Sequence, residues 1–109
     1  KGEELAKSFL IEKGYEILSS NYRYKKAEID LIAKKGNILA IIEVKTRTST
    51  DFGEPESSVN NKKIKLILES TNAYIDSKDF DYEVSLDIIS VVIGKTNEIN
   101  HIENAYYFF

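Results

Sequence analysis

Asp30, Glu43 and Lys45 are the residues of this 109-residue chain whose types and spacing could do chemistry. They fall within AEIDLIAKKGNILAIIEVKTR, where two β-rich runs, Glu28–Ala33 and Ile38–Thr46, flank Lys34-Lys35-Gly36-Asn37. Gly-Asn between such runs signals a two-residue hairpin turn. With that turn Lys35 faces Ile38, and counting back along both strands puts Asp30 opposite Glu43 and Glu28 opposite Lys45. Side chains alternate faces, so all four project from one face of the hairpin. Opposed Cβ atoms lie about 4.5–5.5 Å apart, close enough for two carboxylates to share a cation. Two like charges so placed repel unless something binds between them. The preceding Ile38-Leu39-Ala40-Ile41-Ile42 is a nearly continuous apolar run, the pattern of a strand covered on both faces. Acids and a lysine closing such a strand are expensive unless paired or metal-bound. The triplet Glu43-Val44-Lys45 alone says little, because a solvated strand face also alternates charges.

Several elements must position this hairpin. EELAKSFLIEK, residues 3–13, reads as a helix with Leu5, Ala6, Phe9 and Leu10 on one apolar stripe and Gly14 as its stop. Glu3 lies in its first turn, where a carboxylate complements the helix dipole. Tyr15–Tyr24 is β-rich and leads into the hairpin. Near its end, Arg23, Lys25 and Lys26 interleave with Tyr22 and Tyr24, a mixture that suits phosphate contact and base stacking or else a solvated edge strand. Residues 48–57 are rich in turn formers and hold the only proline, which predicts a mobile loop. Ser57 or Ser58 can cap a helix running to about Ser77, with Ile64, Ile67, Leu68, Thr71, Tyr74 and Ile75 on its buried face. Lys62, Lys63 and Lys65 in its first turns oppose the dipole and hint at an anionic partner. Val84–Ile93 reads as a central strand, Gly94–Asn97 as a turn and Ile99–Phe109 as a last strand. His101, the only histidine, has no visible partner on that strand and reads as structural. The order α-β-β-β-α-β-β predicts an α/β domain with a central mixed sheet flanked by helices.

Composition bounds the chemistry. Hydrophobic content of 42% and charge of 30% describe a globular chain, long enough as one domain to bury roughly 65% of its unfolded surface. The absence of cysteine excludes disulfides, thiolate zinc sites and a cysteine nucleophile. No apolar run approaches a membrane span and no signal-peptide pattern is visible, so a cytoplasmic setting is expected. The chain opens on Lys1 rather than methionine, which points to a lost native start. Net charge is −3, yet residues 21–65 hold 10 basic and 6 acidic groups. The segment carrying the candidate site is thus the basic one, which allows a local positive field, although ordinary charge scatter gives the same tally.

Taken together, the motifs resemble a known family. Gly2-Glu3-x-x-Ala6, Gly14-Tyr15-x-Ile17-Leu18, the run Glu28–Ala33 and Glu43-Val44-Lys45-Thr46-Arg47 resemble the uncharacterised bacterial YraN family. Pro55, Val59, Lys63 and His101-Ile102-Glu103-Asn104-Ala105 extend the match over nearly the whole chain. The resemblance implies a single restriction-endonuclease-like domain over residues 1–109, of the PD-(D/E)XK fold and similar to archaeal Holliday-junction resolvases. It implies Asp30 and Glu43 as metal-binding carboxylates, Lys45 as catalytic lysine and Glu3 as the helix acid completing the site. The family usually has Gly where this chain has Ala27, which costs backbone freedom but removes no chemical group. The implied activity is metal-assisted phosphodiester hydrolysis. Asp30, Glu43 and a backbone carbonyl near Val44 would hold Mg²⁺ (or Mn²⁺), which prefers oxygen ligands. Lys45 would orient the attacking water or stabilise developing charge. Arg23, Lys25, Lys26, Arg47, Lys62 and Lys63 would hold the nucleic-acid backbone without reading sequence. The expected partner is nucleic acid, DNA above all, with no membrane and with a homodimer allowed. A non-catalytic nucleic-acid-binding or protein-interaction module on the same fold remains the alternative, since a fold does not fix a function.

Overall fold

Alternating apolar runs, two amphipathic helices and well-placed glycines give a sheet with a helix on each face. The computed structural model describes residues 2–48, 61–78 and 81–105. Its elements are α1 (Gly2–Glu12), β1 (Glu16–Tyr24), β2 (Ala27–Lys35), β3 (Ile38–Thr48), α2 (Asn61–Asp76), β4 (Glu83–Ile93) and β5 (Glu98–Ile102). The five strands lie in the order β1-β2-β3-β4-β5. Only β3 and β4 run parallel, with α2 on the connection between them; the other neighbours are antiparallel. This is the expected α/β order with a mixed sheet.

The run Leu39-Ala40-Ile41-Ile42 is buried throughout because alternate residues serve opposite layers. Leu39 and Ile41 join Ile32, Ile88 and the α2 residues Ile67 and Tyr74 in one core. Ala40 and Ile42 join Leu31, Ile89, Val91 and the α1 residues Ala6 and Leu10 in the other. α1 stops where Gly14 takes a φ of 99°, open to glycine and strained for other residues. There the Tyr15 N–H donates to Leu10 O at 2.9 Å and the Gly14 N–H to Ile11 O at 3.1 Å, the double bond of a Schellman cap. Tyr15 therefore closes the helix, and β1 begins one residue later than its composition predicts.

Two further expectations need correction. Leu68 is 44% exposed, while Ser70 is buried in its place beside Thr71, which is buried as expected. Ile67, Ser70, Thr71 and Tyr74 follow the three-and-four spacing of one helical stripe, and Leu68 lies a quarter-turn off it. Ser70 and Thr71 meet burial by donating to Leu66 O and Ile67 O, both at 2.8 Å. The last strand ends at Ile102 instead of reaching residue 109. Asn104 turns the chain off the sheet with a φ of 51°. Its N–H donates to Asp87 Oδ1 at 3.0 Å, and its side-chain oxygen lies 3.0 Å from Ser85 Oγ. Of the loop expected over residues 48–57, Thr48 instead ends β3 and the rest lies outside the described residues, as do the caps expected at Ser57 or Ser58 and the chain end at 106–109.

His101, expected to lack a partner, has two. Its Nε2 lies 2.7 Å from Asp87 Oδ2, and Lys13 Nζ lies 2.9 Å from its Nδ1. Asp87 Oδ1 also accepts a short hydrogen bond from Ser85 Oγ. An ammonium at Nδ1 requires a lone pair there, so the ring hydrogen sits on Nε2 and donates to Asp87. Phe9 and Tyr15 contact the imidazole edge-on, with ring centroids 6.2 and 5.9 Å away. This polar network ties the end of α1 to β4 and β5. Burial, then the nearby charges of Asp87 and Glu103, push the Tyr15 hydroxyl above its ordinary value. Among the described residues no helix is long and apolar enough to cross a membrane.

Candidate metal and nucleic-acid site

The register of the central hairpin is the one its turn residues predict. Gly36 takes a φ of 61°, and the ladder runs from Lys35 opposite Ile38 to Leu31 opposite Ile42. It stops there, one step before Asp30 and Glu43 would pair. The Asp30 carboxylate takes over from the ladder, its Oδ2 accepting the Val44 N–H at 2.8 Å. Strand alternation also breaks at this point. Ile29 packs in the α2-side core, whereas Leu31 packs on the α1 side. Strict period 2 would put both on one face. On β1, between the paired Tyr22–Ile29 and Ser20–Leu31, Asn21 takes a φ of 53°. The irregularity aims the Asp30 side chain along the sheet toward β3. It opens a cleft between Glu28, Asp30 and Glu43, with Ile41 and Ile67 on its apolar wall.

Glu43 is largely buried there, its side chain 13% exposed. Lys45 Nζ lies 3.3 Å from its Oε1, and Lys63 arrives from α2 to make a short ion pair with the same oxygen. Lys45 therefore shares a side of the sheet with Glu43, as the two-residue spacing predicts. Arg47 follows two residues further along β3, half-buried. Glu3 stands in the first turn of α1, near enough for its charge to act on Asp30. Gly2 sets that approach. A Cβ at position 2 would overlap Thr46 Oγ1 and stand 2.9 Å from Thr46 Cβ, so any side chain there would push α1 off β3.

Of the basic residues expected to hold a backbone, Arg23, Lys25, Lys26 and Arg47 fall at the same end of the sheet. Lys25-Lys26 joins the paired Tyr24 and Ala27, three residues before Asp30. Lys25 takes a φ of 56° and lies over the Tyr24 ring, 5.4 Å from its centroid, while Lys26 is exposed. Arg23 pairs with Glu28 at 3.5 Å across a largely exposed surface. Lys63 is drawn inward to Glu43 instead of lying out on the helix surface. The side chain of Lys62 lies outside the described residues. Sequence reasoning missed the Lys63–Glu43 contact, because no spacing within α2 shows what a long side chain reaches on a strand.

Charge defines what the cleft can do. The Asp30 carboxyl is raised above its ordinary value near 3.8. Burial is the main cause; the Val44 hydrogen bond opposes it, and the charges of Glu3, Glu43 and Glu28 add to it. Ionising Asp30 is therefore harder in the fold than in the unfolded chain. Its contribution to stability is full below about pH 3.8 and is lost as pH rises through the raised folded value. Asp30→Asn keeps an oxygen for the Val44 N–H and removes the charge. In chelator at pH 7 it is expected to melt a few degrees above the native chain, with the gap closing as pH falls. Melting curves across that range check this, and a lower melting temperature at pH 7 would contradict it.

An oxygen-rich, under-neutralised cleft fits a hard divalent cation. Asp30 and Glu43 supply oxygens, and Asp30 Oδ1 has no hydrogen-bond partner among the described residues. Among those residues no three or more His, Cys, Asp or Glu side chains form a ready cage. A cation on two carboxylates keeps several waters, which suits Mg²⁺.

Comparison with known proteins agrees with the motif resemblance. The model of a family described as "Uncharacterised protein family UPF0102", the YraN family, matches residues 2–91. A UPF0102 protein of Flavobacterium psychrophilum is 49% identical over 109 residues, covering 99% of this chain and 92% of the relative. One from Christiangramia forsetii is 46% identical over 110 residues, covering 100% and 92%. One from Thermodesulfovibrio yellowstonii is 44% identical over 107 residues, covering 98% and 93%.

Proposed function

The chain belongs to the uncharacterised protein family UPF0102, and from the side chains in its cleft we propose a metal-dependent nuclease that hydrolyses phosphodiester bonds in DNA, branched or junction DNA included. One observation carries this reading. Asp30 and Glu43 come together where β2 and β3 part, with Lys45 Nζ 3.3 Å from Glu43. The likeness of these motifs to the restriction-endonuclease-like fold supports it.

Asp30 and Glu43 would hold Mg²⁺ or Mn²⁺ through their carboxylate oxygens. When bound, the ion supplies a water of lowered pKa and offsets charge on the phosphate. The Val44 N–H fixes one Asp30 oxygen, so the carboxylate meets the ion already oriented. Lys45 holds a positive charge beside Glu43, where it orients the attacking water or stabilises the phosphorane oxygens. Glu3 positions water from the α1 side. Arg23, Lys25, Lys26 and Arg47, with Lys62, contact phosphates and give affinity without sequence reading.

A preformed metal site predicts linkage to stability. With free Mg²⁺ at 100 times its dissociation constant, the native chain gains about 2.7 kcal/mol. Asp30→Asn should abolish most of that gain while keeping its own higher baseline in chelator. Melting temperatures with millimolar Mg²⁺, Mn²⁺ or chelator test the reading. A native melting temperature indifferent to both ions would overturn the metal site and leave a non-catalytic binding module on the same fold.

A further inference from the structure

We propose that Lys63 is a built-in counter-ion that a divalent cation must displace from Glu43, so that metal binding releases this lysine toward substrate phosphate. The inference rests on the metal reading above and adds a coupling to it. Glu43 Oε1 receives both Lys45 and Lys63. An ion bridging Asp30 and Glu43 would bring two further positive charges against both ammonium groups, and the repulsion favours the departure of one of them.

The geometry selects Lys63. Lys45 belongs to the same strand as Glu43, two residues on, and is held in the parallel β3–β4 ladder, with its side chain 22% exposed. Lys63 crosses from the third residue of α2, a separate element, and its side chain is 37% exposed. The more exposed lysine can swing its long side chain outward with no backbone change, whereas Lys45 is the more buried of the two. The charges of Glu3, Glu43 and Glu28 all act on Asp30 in this cleft. Lys63 thus offsets repulsion in the metal-free fold and gives up that role when a stronger cation arrives. Once released near the first turn of α2, its ammonium adds to the helix dipole in attracting a phosphate.

Calorimetric titration of Mn²⁺ without nucleic acid tests this on folded native protein, Lys63→Ala, Lys63→Gln, Lys63→Arg and Glu43→Gln. Removing the competing charge should tighten Mn²⁺ binding about fivefold in both neutral variants, the upper range of a partly exposed ion pair. Lys63→Arg keeps the charge and should bind like the native chain. Equal or weaker binding by Lys63→Ala and Lys63→Gln, with Mn²⁺ still lost in Glu43→Gln, would overturn the counter-ion role alone. No Mn²⁺ binding by any form, native included, would overturn both this inference and the metal site on which it rests.

Discussion

Lys45→Ala is expected to slow DNA cleavage by on the order of 10²–10³ while leaving DNA affinity within a few-fold, the scale for losing one well-placed electrostatic donor at a reacting centre. The expectation follows from position. Lys45 is a half-buried cation on Glu43, directly opposite Ser90 on β4, at the end of the sheet where the carboxylates gather. Truncation removes charge where the phosphate gains it, yet leaves Asp30 bound to Val44 and the basic turn at Lys25-Lys26 in place. Lys63 would still neutralise Glu43, so the fold should tolerate the change. Single-turnover rates and binding isotherms on one labelled DNA separate the two effects. A variant that loses affinity and cleavage in equal proportion would make Lys45 a backbone contact and not a catalytic residue.

A second large effect is expected on the opposite face of the sheet from that cleft. Asp87→Ala should destabilise the fold by about 3–5 kcal/mol, because several donors share this one carboxylate and each buried donor left unsatisfied costs about 1–3 kcal/mol. For a chain of this size, that means a melting temperature lower by more than about 10 °C. The Asp87 and His101 side chains are 1% and 2% exposed, so water cannot replace the lost acceptor. His101 Nε2, Ser85 Oγ and the Asn104 N–H would all lose their carboxylate partner at once. The surviving folded fraction should still respond to Mg²⁺, because Asp87 lies in the α1-side network and not in the cleft. A melting temperature within about 3 °C of native would show that the network contributes little.

The hairpin register was legible because a two-residue Gly-Asn turn leaves one way to pair the flanking runs, and Gly36 supplies the required positive φ. That alone brings Asp30 level with Glu43. The fold class was legible because the buried run in β3 needs a layer on each side. The break at Asp30 was not legible. Alternation predicts side chains that keep their faces, and no local pattern says that a carboxylate will replace a ladder bond at Val44. Lys63 was marked for its unfavourable place near a helix N-terminus, but its reach to Glu43 depends on how α2 crosses the sheet. His101 looked isolated because its partners, Lys13 and Asp87, are 88 and 14 residues away along the chain. The early end of β5 had the same cause, since Asn104 is turned by hydrogen bonds to β4. Leu68 was misplaced for a simpler reason: apolar character outweighed helical phase, and Ser70 took the buried face by bonding to its own helix.

Cleavage of labelled branched and linear DNA with Mg²⁺ or chelator, by the native chain beside Glu43→Gln, tests the nuclease reading most directly. Glu43→Gln keeps the size of the side chain and removes the charge shared by Lys45, Lys63 and the proposed cation. The account predicts products from at least one substrate, only with Mg²⁺ or Mn²⁺ present and only from the native chain. A native protein that binds these DNAs but cuts none of them with either ion would contradict it.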